Sequence, residues 1–183
     1  VTIMQDGKVV KISTRKANYV TLDDLIEWVG ADVVRYFFAM RSISSHMNFD
    51  LDLAKKQSDE NPVFYMQYAH ARICSILRMT AQEALAASTE NLALLTTPEE
   101  VRLMKKLMNY EEEVWMSARN FDIPRLCNYL EDLAATFHRF YTVCRIMGSE
   151  KKLAEARIAL VEAVRITMKN GLSILGVSAP EKM

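Results

Sequence analysis

Glycine and proline are scarce in this chain of 183 residues, with five and four copies. That scarcity excludes collagen-like and low-complexity architectures and leaves few of the residues that punctuate an all-β fold. The cysteines, Cys74, Cys127 and Cys144, are odd in number and far apart, so neither a disulfide framework nor a metal-ligand spacing emerges. Each sits in an apolar helical pattern, as expected of reduced core thiols in a cytosolic protein. No apolar run approaches the roughly 18 residues of a membrane span, and no signal peptide opens the chain. A charge excess is missing too: 23 Lys and Arg balance 23 Asp and Glu, so there is no global basic field to attract nucleic acid. Any RNA binding must then arise from a local patch and from shape, with modest salt dependence.

What is present in quantity is Ala, Leu, Met, Glu, Lys and Arg, which favours helices. The expected fold class is all-α, a helical bundle preceded by a small hairpin and connecting helices. Val1–Met4 and Lys8–Ile12 flank Gln5-Asp6-Gly7, whose Asp-Gly suits a tight turn. Thr21-Leu22-Asp23-Asp24 reads as a capped helix start, ending at Gly30. A second helix follows over about 32–41, residues 42–50 read as loop, and 51–58 as a short helix capped by Asp50. From Pro62 the pattern predicts four helices: to about Ala87, from Thr97-Pro98-Glu99-Glu100 to about Asn120, from near Asp122 to near Gly148, and from a Ser149 cap to about Leu175. Together they make one bundle of roughly 120 residues.

One stretch stands out for chemistry. At about 100° per residue, Tyr65, Tyr68 and Arg72 share a helix face, while Met66, His70, Ile73 and Leu77 lie on another that reads as core. Two aromatic rings and a guanidinium suit stacking on unpaired bases. The same spacing also fits tyrosines that cap a packing interface, with Arg72 left in solvent. Lys11-Ile12-Ser13-Thr14-Arg15-Lys16 packs cations and hydroxyls after a strand, as a polyphosphate-binding loop would; a solvated basic loop has the same composition. His46 sits near Asp50 and Asp52 as a base or as a hydrogen-bonded loop residue. His70 reads as a core histidine, His138 has no evident partner, and Glu111-Glu112-Glu113 reads as a solvated face. No nucleophile–base pair or metal constellation is complete.

Several motifs occur in the order seen in arginyl-tRNA synthetases: 11–16, Val20–Leu25, Asp32–Phe38, Ser45–Asp52, Asn61–Ser75 and the closing 171–183. The chain resembles that family over essentially its whole length. The resemblance implies that Lys11, Ser13, Arg15 and Lys16 belong to a KMSKS-like loop that steadies the triphosphate of ATP, with Mg expected beside it. This copy departs from the signature, carrying Ile12 for Met and Thr14 for the second Lys. It implies residues 1–18 as the end of a Rossmann catalytic domain, 19–60 as a connecting element on the tRNA stem, and 61–183 as a helical DALR-type anticodon-binding domain. Tyr65, Tyr68, Arg72, Tyr141 and Met183 match anticodon-contacting positions of the family. Beginning mid-strand at Val1 and lacking a HIGH-like motif, the chain reads as the carboxyl-terminal part of a longer cytoplasmic ligase. It is expected to bind the anticodon arm of an arginine tRNA, to need the rest of the same chain for catalysis, and to bind neither metal, membrane nor DNA. The alternatives are a protein–protein helical bundle and the same region of another class I synthetase, such as the cysteinyl, methionyl or valyl enzyme.

Overall fold

The computed structural model describes residues 1–10 and 20–183. Strands β1 (Thr2–Gln5) and β2 (Lys8–Val9) form the expected hairpin, with Met4 opposite Val9. Asp6 and Gly7 both have positive φ, 52° and 68°, as a type I′ turn demands. Where a loop was expected, Asn48–Asp50 forms β3, parallel to β1 with Ile3 opposite Phe49. The alternation of Met47, Phe49 and Leu51 with polar neighbours explains it: those three side chains are buried while Asn48 and Asp50 face outward.

Helices α1 (Leu22–Val29) and α2 (Ala31–Ala39) follow, the first closed by a capping box in which Thr21 Oγ1 accepts from the Asp24 amide and Asp24 Oδ2 from the Thr21 amide. Asp50 caps α3 (Leu51–Lys55) at 3.0 Å. Buried Asn61 then caps α4 (Pro62–Gln82) and donates to the Ala54 and Lys56 carbonyls, so α3 and α4 share one satisfied polar group. The bundle is completed by α5 (Pro98–Met108), α6 (Tyr110–Asn120), α7 (Ile123–Val143) and α8 (Lys151–Ile174). α7 runs through its middle, packed against α2, α4, α5, α6 and α8. At Gly171 of α8 an added Cβ would fall 2.5 Å from Leu130 Cδ2, so any larger residue would have to displace that buried side chain from between α7 and α8.

Four details of the bundle from α4 onward differ from the sequence expectation, each for a local reason. α4 stops at Gln82 because Ala84 turns left-handed (φ 56°) and the Ala84 and Leu85 amides donate back to the Ala81 and Thr80 carbonyls. The single helix expected over 97–120 is two, broken at Asn109. There the Tyr129 hydroxyl donates to the Lys106 carbonyl at 2.9 Å, occupying an acceptor of the helical ladder. α7 ends at Val143, and the next turn is taken up by Arg157, whose guanidinium Nη1 reaches the Arg145 carbonyl and Ser149 Oγ. With Ser149 so engaged, Glu150 caps α8 instead.

Arg157 also meets Glu100 at 2.7 Å, both side chains nearly sealed from solvent. Glu100 completes the α5 capping box by accepting from the Thr97 amide at 2.8 Å. Burial opposes its charge, but the Arg157 and Thr97 hydrogen bonds outweigh that and hold its carboxyl below the ordinary carboxylate range. Arg157→Met leaves Glu100 buried without its partner. The expected loss is about 3–5 kcal/mol of unfolding free energy by urea denaturation; a loss under about 1 kcal/mol would show that water reaches Glu100.

Candidate nucleic-acid interface

α4 presents two faces. Met66, Ala69, His70 and Ile73 are fully buried against α7 and α8. Round the helix, Tyr65 is half-buried, Tyr68 is 43% exposed and Arg72 is exposed. Tyr65 packs on the core edge, whereas Tyr68 offers its ring to solvent.

α7 supplies the other half of the face. The Arg72 guanidinium lies 5.0 Å from the centroid of the Tyr141 ring, a cation–π arrangement that keeps the charge outermost. Between Tyr141 and the α4 tyrosines sits His138, its ring 5.4 Å from Tyr65 and 6.5 Å from Tyr68, tilted 25° from the latter. Phe137 backs His138 and Tyr141 at 5.7 and 6.1 Å. His138 is the member of the cluster that sequence reasoning missed. Its spacing from Tyr141 is a helical step of three, but the tyrosine rings it meets belong to α4, which no local pattern reveals. Burial, then the charge of Arg72, lowers its pKa below the ordinary histidine value, so the ring is neutral at pH 7.

Met183 reaches the same neighbourhood from the other side of Tyr68. Along α4 the closing segment is held by three side chains: Gln67 donates to Asp32 and Ser178, His70 Nδ1 to the Pro180 carbonyl at 2.9 Å, and Arg78 to the Glu181 carbonyl at 3.2 Å. Met183 thereby borders a cavity of about 680 Å³ with Trp28, Phe64 and Tyr68 on its walls and Lys55 and Lys56 at its edge. Phe64 and Tyr68 lie nearly parallel, their centroids 6.4 Å apart. Of the predicted residues, Tyr65, Tyr68, Arg72 and Tyr141 thus come together around His138, and Met183 lies beyond Tyr68. Lys11, Ser13, Arg15 and Lys16 lie outside the described residues.

The remaining candidates are structural. His46 Nε2 hydrogen-bonds Thr2 Oγ1 at 2.8 Å, and Asp52 accepts from the Asp6 amide. The three cysteines are buried and free. Glu113 departs from the expected solvated run, pairing with Arg125 at 2.5 Å. Among the described residues no group of His, Cys, Asp and Glu is placed to hold a metal, and no helix is long and apolar enough to cross a membrane.

Buried His70, which must keep a proton on Nδ1 to serve the Pro180 carbonyl, is likewise pushed below its ordinary value of 6.5, chiefly by burial. For both histidines the unfolded chain takes up a proton before the folded one. Their contribution is therefore complete above about pH 6.5 and lost as the pH falls through the lower folded values. Thermal unfolding followed from about pH 8 to pH 5 should show a falling midpoint below that point. The double variant His70→Asn, His138→Phe should have a flatter profile.

A family model for the DALR anticodon binding domain matches residues 66–183. The chain is 50% identical over 186 residues to an arginine–tRNA ligase of Symbiobacterium thermophilum, and 50% identical over 185 residues to one of Salinibacter ruber. All of this chain is covered in both matches, against 33% of each relative, so it spans about a third of the length of the curated relatives it matches. Its fold is similar to part of the arginyl-tRNA synthetase of Thermus thermophilus, with a TM-score of 0.74 and 28% identity, covering 93% of this chain and 29% of that one.

Proposed function

This chain belongs to the DALR anticodon-binding domain family, and on that premise we propose that it grips the anticodon arm of an arginine tRNA through the α4–α7 aromatic face. The observation that carries this is the convergence of Tyr68, Arg72 and Tyr141, from two helices, into one solvent-facing patch inside the matched region. The side chains define the division of labour. Exposed Tyr68 and the rim of Tyr65 stack on unpaired bases, Arg72 forks to a phosphate or stacks on a base, and Met183 adds a soft apolar contact beside Tyr68. Residues 61–183 act as the anticodon-binding unit and 19–60 seat the tRNA stem. Tyr36 welds the two, its hydroxyl donating to Glu131 of α7 at 2.7 Å.

We assign ligation of arginine to tRNA, with ATP and Mg, to the full-length ligase in which such a region works during cytoplasmic translation. There Lys11, Ser13, Arg15 and Lys16 of residues 1–18 serve the triphosphate, and the Rossmann catalytic fold is supplied by the rest of that protein. By themselves these 183 residues should give no arginine-dependent pyrophosphate exchange.

The test is direct binding of an arginine tRNA, compared with the same tRNA carrying a replaced central anticodon cytosine. Tyr68→Ala should weaken binding by about 1–3 kcal/mol with helix content unchanged, because the ring is half in solvent. Arg72→Gln should reduce the slope of log affinity against log salt by about one. If Tyr68→Ala left RNA binding intact but shifted the oligomeric state, the face would instead be a protein–protein surface.

A further inference from the structure

The geometry points to His138 as the residue that reads base identity on this face: an imidazole set among Tyr65, Tyr68 and Arg72 whose ring nitrogens hydrogen-bond the edge of an unpaired base stacked on those tyrosines. This rests on the RNA-binding reading of the same face, and adds what that reading lacks. Tyrosine rings stack on any base, since every base has a π face, and a guanidinium on a phosphate carries no sequence information. A discriminating group must offer hydrogen bonds in the plane of the bound base.

His138 meets that requirement. Its ring lies 5.4 Å from the Tyr65 ring and 6.5 Å from that of Tyr68, at 25° to the latter and so nearly parallel to any base stacked on Tyr68, and it borders the space such a base would enter. Phe137 packs behind it at 5.7 Å, and the Thr142 hydroxyl donates to its backbone carbonyl at 2.9 Å, which fixes the position from which it projects. Among the described residues no group hydrogen-bonds either ring nitrogen, yet neither is sealed from solvent. Both remain available to a ligand. A neutral imidazole carries one donor and one acceptor, the mixed pattern of a base edge, whereas an imidazolium would only donate. The depressed pKa noted above, from burial and from Arg72, keeps the ring in the form that reads bases rather than the form that merely attracts phosphate.

The test uses this chain with an arginine-tRNA anticodon stem-loop and a set of stem-loops carrying single loop-base replacements. His138→Phe keeps a flat ring between the tyrosines and removes both nitrogens. It should weaken binding of the native stem-loop by about three- to tenfold. At one loop position it should abolish the preference for the native base, leaving the other positions and the salt slope unchanged. His138→Asn, which restores a donor and an acceptor, should recover part of that preference; should the Phe variant lose helix content, Asn and Gln variants at this position carry the same comparison against wild type. Wild-type discrimination at every position in a folded His138→Phe protein overturns the inference. If Tyr68→Ala still weakens binding in that case, the RNA-binding reading survives without it. If neither variant changes binding, the reading of the whole face fails as well.

Discussion

The packing of α4 between α7 and α8 is the constraint on which the rest of the structure depends. Met66, Ala69, His70 and Ile73 are sealed completely, and that burial alone sets the rotation of the helix about its axis. Once the rotation is set, Tyr65, Tyr68 and Arg72 have no freedom to face elsewhere. The same helix also fixes the closing segment, because Gln67, His70 and Arg78 hold Ser178, the Pro180 carbonyl and the Glu181 carbonyl in turn. One rigid element therefore supplies half of the aromatic face, meets the histidine of α7, and brings Met183 alongside Tyr68. A site built this way holds its geometry without a ligand, which would lower the ordering cost of binding the RNA loop we propose for it.

The second organising contact is more expensive in physical terms. Desolvating Glu100 and Arg157 costs several kcal/mol for each ion, and their attraction is helped to offset that by the further hydrogen bonds each makes. Glu100 also closes the α5 cap, and Arg157 also holds the Arg145 carbonyl and Ser149. The pair thus converts two ends of chain, the start of α5 and the turn between α7 and α8, into fixed points on α8. An apolar pair of similar volume would pack as well, but it would not specify where those two backbone segments sit.

What could be read from the sequence follows the range of the forces involved. The Asp6-Gly7 turn, the caps at Thr21, Asp50 and Thr97, and the two faces of α4 were all legible, because each is decided within about one helical turn. The break at Asn109 was not, since the hydroxyl that captures the Lys106 carbonyl lies on Tyr129 of another helix. Nor was the Ser149 cap correctly placed, because Arg157 claims that hydroxyl first. The strand over Asn48–Asp50 had a visible signal in the period-two alternation around Phe49, overshadowed by its polar composition. His138 had none: its meaning comes entirely from the register of α7 on α4. The resemblance to a family reached Tyr65, Tyr68, Arg72, Tyr141 and Met183 where periodicity alone offered only the first three.

The balance of charge shapes how such a face can work. With equal numbers of acids and bases, the chain has no net field to draw an RNA from a distance, and exposed charges are screened beyond about 10 Å at ordinary ionic strength. Selectivity must then be exerted at contact. Arg72 stays outermost over Tyr141, His138 stays neutral beside it, and Tyr68 keeps a free ring edge, so charge, hydrogen bonding and stacking are presented separately within one patch. A more basic surface would bind any phosphate backbone more tightly and would blur the difference between loop sequences. Neutrality overall, with the exposed Arg72 set over a ring of this patch, favours discrimination over affinity.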